Sequence, residues 1–159
     1  MTWLHQRGHS VIGIEGVEMA CQAFFEEQSL AYERTHRGGN LCFDGKGEAE
    51  GITIFCADLF GLAPDDIGPV TAWYDRAAVV ALKPQVREHY ANWIARVLPE
   101  NAGGLMMTFE YPQKERSGPP FSVNFADVQQ HFGPAFQVEL MDRVDITTGN
   151  RWELSSVHK

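Results

Sequence analysis

The sequence predicts an α/β protein: one sheet with helices on both faces. Three observations lead there. Short apolar runs with an acid at the end, His9-Ser10-Val11-Ile12-Gly13-Ile14-Glu15 and Val70 to Tyr74 before Asp75-Arg76, have the character of buried parallel strands. Amphipathic stretches separate such runs, most clearly Pro84 to Leu98. The length of 159 residues, 44% of them hydrophobic, suits a single domain over 1–159 that buries a core without disulfides or a structural metal.

The elements follow in order along the chain. Thr2 to Gly8 carries the last turns of a helix, with Arg7 near its negative end and Gly8 as a left-handed stop. After the first strand, Val17 to Gln28 places Val17, Cys21, Phe24 and Gln28 on one helical stripe. Leu41-Cys42-Phe43 and Ile52 to Cys56 flank an Asp44-Gly45-Lys46-Gly47 turn and suggest a hairpin. In the Pro84 helix, proline suits the first position, and Val86, Tyr90, Trp93, Ile94 and Val97 line one face. Gly104 to Tyr111 is strand-like, and Pro112 to Pro120 is a loop. Asn124 caps a short helix that Gly133-Pro134 ends, and Phe136 to Met141 is the last strand in the pattern.

Composition excludes several function classes. Thirteen basic against twenty-one acidic residues give a net charge of −8, which disfavours binding to a nucleic-acid backbone. No apolar run is long enough to span a bilayer, so no membrane partner is expected. Cys21, Cys42 and Cys56 lack Cys-x-x-Cys spacing, and no His-Glu-x-x-His box is present, so neither a disulfide framework nor a metal site is expected. The cysteines suit a reducing compartment, and without a signal peptide pattern the expected location is cytoplasmic.

Four positions invite a functional reading. Glu15 lies at a strand end before a helix, where a carboxylate can accept hydrogen bonds from both ribose hydroxyls of a nucleotide; an ordinary solvated acid is the alternative. Asp58 follows the strand Ile52 to Cys56, where it can meet an adenine amino group with Leu59 against the ring, or simply form a turn. Arg76 follows Asp75 at the carboxyl edge where open α/β sheets bind ligands. It can orient an anion through its fork of donors, or pair locally with Asp75 or Asp58. The Ser117 to Phe121 loop is either a stiff lid or a connection. In a nucleotide fingerprint the ribose acid follows a glycine turn by about 20 residues, so counting back from Glu15 places that turn before residue 1.

Trp3-Leu4, Gly8-His9-Ser10-Val11-Ile12-Gly13-Ile14-Glu15, Tyr74-Asp75-Arg76-Ala77-Ala78-Val79-Val80-Ala81-Leu82, Tyr111-Pro112 and Gly118-Pro119-Pro120-Phe121 together resemble the thiopurine S-methyltransferase family, from about Trp3 to Asp145. The resemblance implies a Rossmann-like class I methyltransferase sheet that uses S-adenosyl-L-methionine and lacks its first strand and its last. It implies that Glu15 binds the cofactor ribose, that Asp58 and Leu59 border the adenine, and that Arg76 serves the cofactor and substrate pocket. Arg151 matches a second substrate-side arginine. The implied substrate is a small aromatic or heterocyclic thiol, with metalloid detoxification as a second class, and the full-length enzyme is expected to be a monomer. The family's Pro-Leu-Cys-Gly-Lys loop and tryptophan-bearing amino-terminal cover are not found in these residues. The runner-up is therefore a non-catalytic remnant that binds no cofactor, followed by a nicotinamide-binding Rossmann protein.

Overall fold

The chain leaves its first helix, α1 (Thr2–His5), through Gly8, whose φ of 86° needs a residue without Cβ. The computed structural model describes residues 1–145 and the strand Ser155–His158, in two compact units, Met1–Gly68 and Pro69–Lys159. In the first unit the next elements are β1 (Val11–Glu15), α2 (Glu18–Glu26), β2 (Tyr32–Arg37), β3 (Asn40–Gly45), β4 (Ile52–Cys56) and α3 (Pro64–Ile67). The sheet order is β1-β4-β3-β2. Strands β1 and β4 are parallel with Val11 opposite Ile52 and Glu15 opposite Cys56, while β4-β3 and β3-β2 are antiparallel.

Pattern reasoning finds β1, β3 and β4 and misses β2. Tyr32-Glu33-Arg34-Thr35-His36-Arg37 is polar because β2 lies at the sheet edge with four of its six residues exposed. Gly38 and Gly39, both at positive φ, close the β2-β3 hairpin in two residues, as the twist of a tight hairpin requires. A Cβ on Gly38 would also fall 1.8 Å from the Asp66 carboxylate. On α2, Cys21 is buried as expected, but its buried companion is Phe25 rather than Phe24, and Val17 is exposed. Phe25, Tyr32 and Phe43 form a run of rings with centroids 5.0 and 5.5 Å apart over Ile52 and Ile54.

The second unit contains β5 (Ala72–Asp75), α4 (Ala78–Ala81), α5 (Pro84–Val97), β6 (Gly103–Met106), α6 (Phe125–Phe132), β7 (Gln137–Glu139) and β8 (Ser155–His158). Its sheet order is β5-β6-β8-β7, with β5 and β6 parallel and the other pairs antiparallel. Where a last strand was expected to be missing, Ser155–His158 forms β8 between β6 and β7. Strand β6 stops at Met106, short of the expected Tyr111. Helix α5 buries Tyr90, Trp93 and Ile94 as the periodicity predicts, together with Arg87, which it does not. Asn124 and Asp127 exchange side-chain-to-backbone hydrogen bonds at 2.9 and 3.0 Å and start α6. Among the described residues no helix is long and apolar enough to cross a membrane.

Asp44 ties the first sheet together. Its carboxylate accepts from Thr35 Oγ1 at 2.5 Å and Thr53 Oγ1 at 2.7 Å, from the strands on either side, and pairs with Arg37 at 2.5 Å. Burial pushes its pKa up, but the two hydroxyls and the Arg37 and Lys46 charges outweigh burial and bring it below the usual 3.8. The stabilisation is therefore present above the unfolded carboxyl pKa and is lost as pH falls through the folded one. Thr53→Val should lower the unfolding free energy by about 1 kcal/mol at neutral pH and by less in acid. Urea titrations at the two pH values check this; an equal loss at both would mean that the ionised carboxylate does not supply the bond.

Candidate functional site

In the first unit, the parallel β1-β4 pair brings Glu15 and Asp58 to the same carboxyl edge. Glu15 is the last residue of β1, and Ala57, just beyond β4, donates its amide to the Glu15 carbonyl at 3.0 Å. The Glu15 side chain is exposed. Its Oε1 accepts from Val17 N at 3.0 Å, at the start of α2, and its second oxygen has no hydrogen-bond partner among the described residues. Val17 and Met19 beside it are exposed, Met19 at 78%. Exposed apolar side chains next to a half-used carboxylate can cover a flat ring while the acid takes hydroxyl groups.

Asp58 adopts the turn its sequence allows: its Oδ1 accepts from Phe60 N at 3.2 Å and caps the single turn Leu59–Gly61. It remains exposed, with Leu59 half-buried. A hollow of ≈ 190 Å³ opens against β1, lined in part by Met1, Gly13, Glu15, Cys21 and Phe24. The Met1 side chain lies so close to Gly13 that a Cβ there would meet its sulfur at 2.8 Å.

The cysteines pack as small hydrophobes. All three are free, with Cys21 and Cys42 buried. Burial first, then the neighbouring Cys56 and Glu15, pushes the Cys21 thiol up to about 12; burial also raises Cys42.

In the second unit, Arg76 follows the carboxyl end of β5. It is exposed, and among the described residues it forms no ion pair with Asp75. Asp75 is committed elsewhere. It is 2% exposed and accepts from Ala78 N at 2.9 Å, Val79 N at 3.1 Å and the Tyr90 hydroxyl at 2.9 Å. Burial raises its carboxyl pKa against the lowering pull of these donors, and raises the Tyr90 phenol as well.

The loop before α6 is built on the same framework. Phe121 N donates to Val80 O at 2.6 Å, and Tyr111 Oη donates to Pro120 O at 2.5 Å. Gly118, at φ 76°, lies against the Phe121 ring, which a Cβ would approach to 2.5 Å. Sequence reasoning missed Arg87, whose buried guanidinium donates to Leu82 O at 3.2 Å and Ser122 O at 3.5 Å, joining the segment after Arg76 to this loop. Charge without an acid at helical spacing was the only available signal. Arg151 lies outside the described residues.

The family model for thiopurine S-methyltransferase matches residues 1–158. The chain belongs to the thiopurine S-methyltransferase family. It is 42% identical over 150 residues to the thiopurine S-methyltransferase of Methylococcus capsulatus, covering 94% of this chain and 66% of that one. With the Pseudomonas fluorescens enzyme it shares 39% over 153 residues, covering 96% and 68%. The chain thus spans about two thirds of the length of these curated relatives.

Among solved structures, it is similar to the Burkholderia thailandensis 1,6-didemethyltoxoflavin-N1-methyltransferase, with a TM-score of 0.64 and 15% identity, covering 99% of this chain and 64% of that one. That protein was solved with 1,6-didemethyltoxoflavin and S-adenosylhomocysteine bound. A SAM-dependent methyltransferase from Methanosarcina mazei aligns at a TM-score of 0.62 and 15% identity, covering 99% and 84%. The fold is the α/β Rossmann-like fold of class I methyltransferases.

The thiols differ in exposure, so alkylation distinguishes them. Iodoacetamide at neutral pH should modify Cys56, which is half-buried, well before Cys21 or Cys42. Peptide mass mapping over time reads the order; early labelling of Cys21 would mean that α2 opens from the sheet readily.

Proposed function

We propose that the protein is an S-adenosyl-L-methionine-dependent methyltransferase acting on the sulfur of a small aromatic or heterocyclic thiol such as a thiopurine. The observation that carries this reading is the family match across 1–158 together with an exposed, half-used carboxylate at Glu15, the position the family resemblance assigns to the ribose. The residues present fit the adenosine half of the cofactor. Glu15 takes the ribose hydroxyls, Asp58 and Leu59 border the adenine, and the apolar surface of Val17 and Met19 excludes water beside them.

When bound, the cofactor supplies an electrophilic methyl group on a sulfonium. An aromatic thiol is acidic enough to be partly thiolate near neutral pH, so the protein needs no strong general base. Its work is alignment and exclusion of water. Arg76 steadies the thiolate or thione charge through its planar fork; its exposed side chain, unpaired with Asp75, supports that role. Arg151 is assigned to the substrate side by the resemblance alone. A small molecule in the cytoplasm is the proposed partner, with metalloid oxyanion detoxification as a second substrate class.

A second reading, a remnant that binds no cofactor, is favoured by one observation: Met1 packs onto Gly13 and takes up space on the face of β1 that holds the hollow.

Titration of the purified chain with S-adenosylhomocysteine separates the two readings. Binding is expected, with the Glu15 carboxylate taking the ribose hydroxyls. Glu15→Ala should weaken it about tenfold, the low end for a charged hydrogen bond. No detectable binding by the wild-type chain favours the remnant; identical binding by wild type and variant removes Glu15 from the site.

For methyl transfer to a thiopurine, Arg76→Lys should lower turnover about tenfold by losing the fork, and Arg76→Glu should lower it further by opposing the thiolate. Equal rates for Arg76→Glu and wild type would leave Arg76 without a catalytic part.

A further inference from the structure

Arg76 is exposed, yet the backbone on both sides of it is held. On one side, Met107 N donates to Asp75 O at 2.8 Å and locks the end of β5 to β6. On the other, the Asp75 carboxylate reaches forward over Arg76 and Ala77 to the amides of Ala78 and Val79. Ala77 sits at φ −146°, ψ −13°, outside both the strand and helix regions, so this two-residue crossing is held in place from its two ends rather than by regular structure.

The remaining bond on the carboxylate comes from Tyr90 of α5. Its ring lies edge-on to Trp73 at 6.2 Å and to Phe132 at 6.1 Å, and its hydroxyl is aimed at Asp75 Oδ2. A neutral turn could be capped by an exposed Ser or Asp. Here the cap is a buried carboxylate braced from a different helix, so the orientation of the turn is set by the core of the unit. We propose that Asp75 and Tyr90 are positioning residues for Arg76, fixing the direction in which its guanidinium leaves the carboxyl edge of β5. The proposal rests on the reading of Arg76 as the group that steadies the substrate, and it adds the device that aims it.

Tyr90→Phe is the informative variant, because it keeps the ring against Trp73 and Phe132 and deletes only the hydroxyl. In nitrogen-15-labelled chain, the Arg76 Nε–Hε signal and the Ala77, Ala78 and Val79 amide signals should shift. Amide exchange at Ala78 and Val79 should quicken about tenfold, as expected for a weakened bond to a charged group. The Nε–Hε signal of Arg87, held by the Leu82 and Ser122 carbonyls, should stay in place and serve as the control for an intact fold. Asp75→Asn, which keeps one acceptor oxygen, should move the same signals further.

In methyl transfer, Tyr90→Phe should lower kcat with little change in KM, and adding it to Arg76→Lys should cost nothing more. Unchanged Arg76 and Ala77–Val79 signals in Tyr90→Phe overturn the positioning role. Shifted signals together with an Arg76→Lys variant as active as wild type uphold the positioning and overturn the catalytic reading of Arg76.

Discussion

A carboxylate at 2% exposure organises the second unit. Taking an ionised acid out of water is costly unless hydrogen bonds replace the lost hydration, and Asp75 is supplied with two backbone amides and a phenol. The amides belong to the start of α4, the phenol to α5, and the backbone carbonyl of the same residue to the β5-β6 pairing. One side chain thus fixes where a strand ends, where the next helix begins and how a third element packs over both. Arg87 extends the arrangement, since its buried charge is spent on carbonyls in the two loops that flank it. The described side chains leave no buried nitrogen or oxygen unsatisfied, which is what a polar network inside an apolar core requires.

The parts of the fold that were legible in the sequence are those where one local signal decides the element. β1, β4 and β5 are apolar runs with an abrupt polar end. The helix from Pro84 carries a proline where its missing amide does no harm, and α6 carries both halves of a capping box. The parts that were not legible are those where tertiary context overrides the local signal. Strand β2 has only Tyr32 of apolar character to betray it, because it is an edge strand held by pairing, by the Gly38-Gly39 turn and by an ion pair between Lys46 and Glu33, with the Tyr32 ring against Phe25 and Phe43. The residues after Met106 are apolar enough for a strand but are claimed by loop bonds, such as Val123 N to Phe109 O at 2.7 Å.

The candidate site divides along similar lines. Glu15 stands out in the sequence by its strand-acid-helix context, and in the structure one of its carboxylate oxygens has no hydrogen-bond partner among the described residues. Asp58 was ambiguous in sequence because capping and binding call for the same residue type, and the structure shows the cap while leaving the side chain exposed. For Arg76, an acid next door suggested a local ion pair. In the fold Asp75 turns inward, and sequence cannot say which of two adjacent charges the core will claim.

The register of β1 has its own consequence. Val11, Ile12, Gly13 and Ile14 are apolar on both faces and all half-buried, so alternation does not distinguish one pairing with β4 from its neighbour one residue away. The register is set at the ends, where Val11 N meets Gly51 O and Ala57 N meets Glu15 O. The partners lie some forty residues apart, whereas β2, β3 and β4 are joined by short turns. Distant contacts carry a larger closure cost than local ones, so pairing β1 with β4 is entropically less favourable than forming the antiparallel meander. A strand without alternation, pinned only at its ends, specifies its register weakly and is prone to slippage. A slip of one residue would turn the Glu15 carboxylate to the opposite face of the sheet.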